Sequence, residues 1–116
     1  LGMLQSDALR ATRLVVDTGL HAMGWTRQHA IDTMVERTAL GLSECTAEVD
    51  RYIAMPGQAT SYTTGRLAIE RLRDHADRRL GDGFDIAAFH DVVLSNGKLS
   101  LDALDSLVAD GVATAA

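Results

Sequence analysis

Residues 13–25 read RLVVDTGLHAMGW, and this stretch decides the fold class. Its apolar residues recur at the spacing of an α-helix. Three polar residues interrupt the apolar pattern at intervals of four: Arg13, Asp17 and His21. At 100° per residue their side chains fall on one narrow stripe of the helix, together with that of Arg10. We therefore expect a helix that is buried on most sides and turns this polar stripe toward a cavity.

The same helical period runs through the rest of the chain, and turn residues divide it into six segments. The predicted first helix covers about residues 4–23, and a long fourth helix covers about residues 58–80. Thr26, Ser43 and Ser100 are predicted to cap the second, third and last helices. The sequence therefore predicts an all-α fold of about six helices with short connections and no sheet.

Gly19 lies inside the predicted first helix, where glycine costs about 1 kcal/mol relative to alanine. A glycine at such a position is favoured when another backbone or a ligand must come close to the helix. The residue therefore predicts a tight contact on its side of the helix.

Composition and charge restrict the possible functions of this 116-residue chain, which is one domain or a piece of one. Its net charge of −5 argues against binding to nucleic acid or to an anionic membrane surface. No transmembrane-length apolar run or signal peptide is visible, and the single Cys45 rules out an intrachain disulfide. We expect a cytoplasmic rather than a secreted protein. Because the sequence starts at Leu1, we also expect it to be part of a longer chain.

The polar stripe of the predicted first helix is the first candidate site. Arg13, Asp17 and His21 could line a binding cavity, but the same residues also fit a surface ion pair beside a solvated histidine. The sequence contains no HExxH, no CxxC and no acidic calcium loop. We therefore expect this chain to bind no metal by itself.

The second candidate site lies in the segment PGQATSYTTG, residues 56–65. Gln58 and Tyr62 share one face near the start of the long helix, and both side chains can donate hydrogen bonds to a developing oxyanion. Tyr62 equally fits an ordinary half-buried tyrosine whose hydroxyl reaches the surface.

Three segments of the chain resemble a bacterial family catalogued as a domain of unknown function, DUF885. The segments are RLVVDTGLHAMGWTRQHAIDTM, EVDRYIAMPGQATSYTTGRLAIERLR and FHDVVLSNGKLSLDAL. The resemblance extends over nearly the whole chain, about residues 4–107. Its most specific parts are the DTGLH and PGQxxxY motifs, which occur in this order and at this distance.

The resemblance implies that residues 1–116 are the C-terminal helical segment of a larger catalytic domain, similar to helical zinc metallopeptidases of the gluzincin type. Zinc is then expected in the full-length protein, on upstream motifs, and none in this chain. His21 and Tyr62 are implied as catalytic residues, and Arg13, Asp17 and Gln58 as substrate-binding residues. The implied partners are a peptide-like substrate and the upstream remainder of the polypeptide. A homo-oligomer formed through exposed apolar helix faces is a further expectation.

Two other functions stay open at this point. A stand-alone helical interaction module without catalysis would have a closed core and an exposed His21. Another hydrolase on the same scaffold, such as an esterase, is also compatible, because a zinc site can cleave esters as well as amides.

Overall fold

The computed structural model describes the backbone of residues 2–115 and the side chains of residues 2–111. Within that range the chain forms six α-helices and no strand, so the all-α prediction is confirmed. The helices are α1 (Gly2–Ala22), α2 (Arg27–Arg37), α3 (Leu42–Ala54), α4 (Ser61–Leu80), α5 (Ile86–Ser95) and α6 (Leu101–Ala115). Short 3-10 turns precede and follow α4, at Gln58–Thr60 and Gly81–Gly83. None of the described helices is both long and apolar enough to cross a bilayer.

Two of the three predicted caps are confirmed. The Thr26 hydroxyl accepts a hydrogen bond from the His29 backbone N–H at 3.2 Å, and Ser100 accepts one from Ala103 at 3.2 Å. Each bond satisfies one of the backbone donors that the first turn of a helix leaves free. Local sequence therefore sets the start of α2 and of α6.

The predicted cap of α3 at Ser43 is wrong, because the helix begins at Leu42 and is preceded by Gly41 in an extended conformation. Glycine has no side chain that could cap the helix. Instead, the Glu44 carboxylate reaches back and accepts a hydrogen bond from the Gly41 N–H at 3.0 Å. The acidic residue thus replaces the hydroxyl cap that the sequence pattern favoured.

The chain divides into two compact units, Leu1–Thr64 and Gly65–Ala116. In the first unit α1 packs against α2, α3 and the 3-10 turn that precedes α4. The helices surround one core of buried side chains: Val16, Ala30, Ile31, Met34, Cys45, Val49, Tyr52 and Ala59. The only large ring in this buried set belongs to Tyr52, so aliphatic side chains fill most of the core.

The second unit has its own core. It is formed by buried residues of α4, α5 and α6: Leu72, Ala76, Phe89, Leu104 and Val108. The Asp85 carboxylate starts α5 by accepting a hydrogen bond from the Ala87 N–H at 2.8 Å. Each unit therefore buries apolar side chains independently.

Only one side of α1 is buried within the described chain, and Arg13 and Asp17 of the polar stripe lie on that side, whereas Arg10 and His21 are exposed. Asp17 is 3% exposed and Arg13 is partly buried, whereas Leu4 and Val15 on the other side are 67% and 42% exposed. This orientation differs from the expected one, in which most sides of the helix were buried. The reason is that backbone and aromatic groups far along the sequence bind the polar side chains.

Gly19 does have a close neighbour, but that neighbour is the side chain of Trp25 and not the expected second backbone or ligand. A Cβ atom on Gly19 would lie 2.3 Å from the indole ring, closer than atoms can approach. The backbone N–H of Trp25 also donates a hydrogen bond to the Gly19 carbonyl oxygen at 2.9 Å. This bond turns the chain back toward α1. The indole ring also packs against the His29 ring, and the two ring centroids are 4.4 Å apart.

We predict that Gly19→Ala lowers the melting temperature, because overpacking against Trp25 costs about 1–3 kcal/mol and outweighs the gain in helix propensity. Gly65→Ala is the matched control, since a Cβ there meets no atom within 4 Å. That variant should be more stable by about 0.5–1 kcal/mol. Thermal melts followed by circular dichroism compare the two. A Gly19→Ala protein as stable as Gly65→Ala would show that the indole contact is unimportant.

Candidate functional site

Asp17 fixes the turn that leads into α4. Its two carboxylate oxygens accept hydrogen bonds from the Gly57 N–H at 3.0 and 3.1 Å. Gly57 has a φ of +82°, a backbone angle that residues other than glycine rarely adopt. A buried carboxylate is costly unless it is hydrogen-bonded, and this contact supplies the bond. Asp17 therefore has a structural role here, and its carboxylate is committed to the turn.

His21 binds a different element. Its Nε2 lies 3.1 Å from the Tyr52 carbonyl oxygen of α3. Because a carbonyl oxygen can only accept, Nε2 must carry the proton, and Nδ1 is the ring nitrogen left for other partners. Asp17 and His21 share a stripe of α1 but serve separate contacts, so they do not act as a linked pair.

Arg13 and Tyr62 are brought together. The central carbon of the Arg13 guanidinium lies 4.7 Å from the Tyr62 ring centroid and 5.6 Å from that of Tyr52. Both distances allow a cation–π attraction. The buried Nε of Arg13 has no hydrogen-bond acceptor among the described residues. A buried donor without a partner is costly, so the contacts of the guanidinium with the two rings must offset this cost.

A hydrogen-bonded network on α3 adjoins these residues. Glu48 accepts bonds from the Tyr52 hydroxyl and from Arg51, both at 2.7 Å. Arg51 also donates to the Gln58 side-chain oxygen at 2.8 Å. Gln58 is thus held by its oxygen, which leaves its amide N–H₂ to donate elsewhere. Sequence reasoning missed Glu48 and Arg51, although their spacing of three residues places them on one helix face.

The network shifts the ionisation of two of its members. The pKa of Glu48 is held below its ordinary value, mainly by the Arg51 hydrogen bond, which outweighs the opposing effect of burial. The pKa of Tyr52 is raised by burial and by its bond to Glu48. The network therefore favours a charged Glu48 carboxylate and a neutral Tyr52 phenol.

A groove of about 360 Å³ in the first unit runs beside this network. Its lining combines apolar and charged side chains: Leu9, Arg13, Leu40, Glu44, Ala47 and Glu48. The second unit contains a cavity of about 140 Å³. Its only acidic or basic lining residue is Asp85, which already caps α5. The groove beside Arg13 is therefore the better candidate for binding a polar ligand.

The described residues do not provide a zinc site. No group of three His, Cys, Asp or Glu side chains within the described range converges on one point. A protein zinc site needs at least three such ligands. The candidate site is accordingly one of hydrogen-bond donors and aromatic rings: Arg13, Gln58 and Tyr62, supported by Glu48, Arg51 and Tyr52.

Comparison with known proteins gives a family match and a similar solved structure. Residues 1–108 match the model of a family described as "Bacterial protein of unknown function (DUF885)". The chain matches no curated protein. It is similar to the crystal structure of a "putative lipoprotein" from Colwellia psychrerythraea, with 50% sequence identity and a TM-score of 0.96. That match covers 97% of this chain and 19% of the other, so this chain spans about a fifth of its relative's length.

We predict that Asp17→Asn destabilises the protein by about 1–3 kcal/mol, because the charged acceptor of the Gly57 N–H is lost. Asp32→Asn is the matched control: Asp32 is exposed on α2, and the oxygen that accepts from Gln28 is retained. This control should change stability by less than about 0.5 kcal/mol. Thermal and urea unfolding measure both variants. Equal stabilities would show that the Asp17 contact does not hold the fold.

We predict that Glu48 contributes to loss of stability in acid. A carboxyl group whose pKa is lowered by folding stabilises the native state above its ordinary pKa, 4.5 for glutamate. That contribution disappears as pH falls from this value through the lower native pKa. Glu48→Gln should therefore lose less stability between pH 7 and pH 3 than the wild type does. Glu36→Gln, at an exposed position, is the control. Melting temperatures are measured across this pH range for the wild type and both variants. Parallel profiles for all three proteins would refute the prediction.

Proposed function

Because the chain belongs to the bacterial DUF885 family, we propose that it forms a substrate-binding wall of a peptidase-like hydrolase. The observation that carries the proposal is the position of the Arg13 guanidinium and its lack of a complete set of hydrogen bonds. It lies against the exposed ring of Tyr62, and its buried Nε lacks an acceptor within the described chain. Because Arg13 also lines the groove of about 360 Å³, its cation is suited to hold an oxygen of a ligand bound there.

The chemistry of the cluster fits a peptide-like substrate. A guanidinium binds carboxylate and carbonyl oxygens through directed N–H donors. The Tyr62 ring is 46% exposed, so its side chain is accessible to a ligand that contacts Arg13. A tyrosine hydroxyl can donate to the oxyanion that develops when an amide is attacked. We propose Arg13 and Gln58 as substrate-binding residues and Tyr62 as the donor to the oxyanion.

His21 has a smaller part in the proposal, and Asp17 has none as a ligand-binding residue. His21 is exposed but gives Nε2 to the Tyr52 carbonyl, so only Nδ1 can meet a substrate. Asp17 uses both oxygens to hold Gly57. Asp17 acts on the site indirectly, by positioning the start of the helix that carries Tyr62.

We propose zinc binding only for the whole protein and not for this chain alone. The described residues contain no group of three ligands, so a zinc site would need ligands from outside residues 2–115. When bound, zinc polarises the scissile carbonyl and activates water. The residues of this chain would bind and orient the substrate. A stand-alone interaction module is consistent with the exposed His21 and the buried core of the first unit, but it leaves the exposed Leu4 and Val15 unexplained.

We predict that Tyr62→Phe lowers kcat/KM for peptide hydrolysis by about 10²–10³-fold, the usual cost of removing one oxyanion donor. Arg13→Gln should mainly raise KM. The assay uses the protein as expressed from its own gene, with a fluorogenic peptide library as substrate. Thr64→Ala, at an exposed position two residues from Tyr62, is the control and should retain wild-type activity.

Two results would contradict the proposal. Absence of peptide cleavage by the zinc-loaded wild-type protein would remove the peptidase assignment. Wild-type kinetics in both Tyr62→Phe and Arg13→Gln would show that the cluster does not meet the substrate.

A further inference from the structure

The outward side of α1 carries a continuous apolar surface, which we call the outer seam. Six exposed residues form it: Leu4, Ala8, Ala11, Val15, Thr18 and Ala22. Successive members are separated by four, three, four, three and four positions. At 100° per residue they lie within an arc of about 80° along the whole helix. This is the spacing at which one helix packs along another.

A partner that binds the outer seam does not have to supply hydrogen bonds or charges to its side chains. Thr18 is its only polar residue, and the hydroxyl already donates to the Leu14 carbonyl oxygen at 2.9 Å. The other members are aliphatic, and none is charged. Leu4 and Val15 project from the seam, while the alanines between and beyond them permit close approach of another backbone. An apolar surface of this length along a helix marks an interaction site.

We infer that the outer seam is a docking surface for a second α-helix, supplied by the part of a longer DUF885 polypeptide that lies outside this chain. The size of the solved relative supports this occupant. That protein contains the same fold at a TM-score of 0.96, yet the match covers 19% of its chain, so most of its length lies elsewhere. The matching helix should present aliphatic residues at the same three-and-four spacing.

A helix of the same polypeptide fits the seam better than a second copy does. Only two seam residues are larger than threonine, so the surface is narrow for an interface between separate chains. A helix tethered to the same polypeptide has a high effective concentration and needs less contact area. The inference is independent of the proposed hydrolase activity, because Arg13, the residue of α1 in the candidate site, lies on the side of the helix opposite the outer seam.

The test uses Val15→Cys and Gln28→Cys in the protein as expressed from its own gene. Native Cys45 is fully buried, and labelling of the unsubstituted protein measures the background from all native thiols. The Val15→Cys thiol should react with maleimide about tenfold or more slowly in the folded protein than in urea. Gln28→Cys, at an exposed polar position on α2, is the comparison site. A Val15→Cys thiol that reacts as fast folded as unfolded would overturn the inference.

A photo-cross-linking residue placed at Ala11 identifies the occupant. A product with the mass of a single chain, joined to a segment outside residues 1–116, supports the inference. A product of twice the chain mass, or a link within residues 1–116, overturns it. Both results can be read whether or not the protein hydrolyses peptides, so failure of the proposed function would remain distinguishable.

Discussion

The first unit depends on one buried carboxylate. Asp17, in the middle of α1, holds the backbone of Gly57 and thereby fixes the point from which α4 starts. A second contact follows six residues later, where the Thr63 hydroxyl donates to the Arg10 carbonyl oxygen of α1 at 3.0 Å. Between these two anchors lies Tyr62, whose ring meets Arg13. The candidate site is therefore a consequence of how α1 and the start of α4 are joined.

The two sides of α1 serve different purposes. Its inward side uses polar groups for contacts within the unit, and the buried Nε of Arg13 has no acceptor in the part of the chain that the structure describes. Its outward side is aliphatic and exposed. The inward side also carries apolar residues, among them Val16, which is fully buried in the core of the unit. The proposed ligand-binding role of α1 rests on the inward side, and the proposed helix-docking role rests on the outward side.

Local features were predictable from the sequence, and distant contacts were not. Helical spacing and hydroxyl caps identified six helices, and Gly19 correctly indicated a close neighbour, because these signals act over a few residues. The side of α1 that faces inward depends on Gly57 and Tyr52, which lie more than 30 residues away. The cap at Glu44 was missed because a hydroxyl at Ser43 was the stronger local pattern. The Glu48 and Arg51 network was visible in the spacing but has no motif of its own.

The Asp17 contact also bears on the order in which the unit assembles. It joins residues 40 positions apart, and closing so long a loop carries an entropic cost that the neighbouring α1–α2 hairpin avoids. The packing of Trp25 on Gly19 can form while the rest of the chain is still unfolded. We therefore expect the hairpin to form early and the Tyr62–Arg13 contact to form late, so that binding competence appears only once folding of this unit is complete.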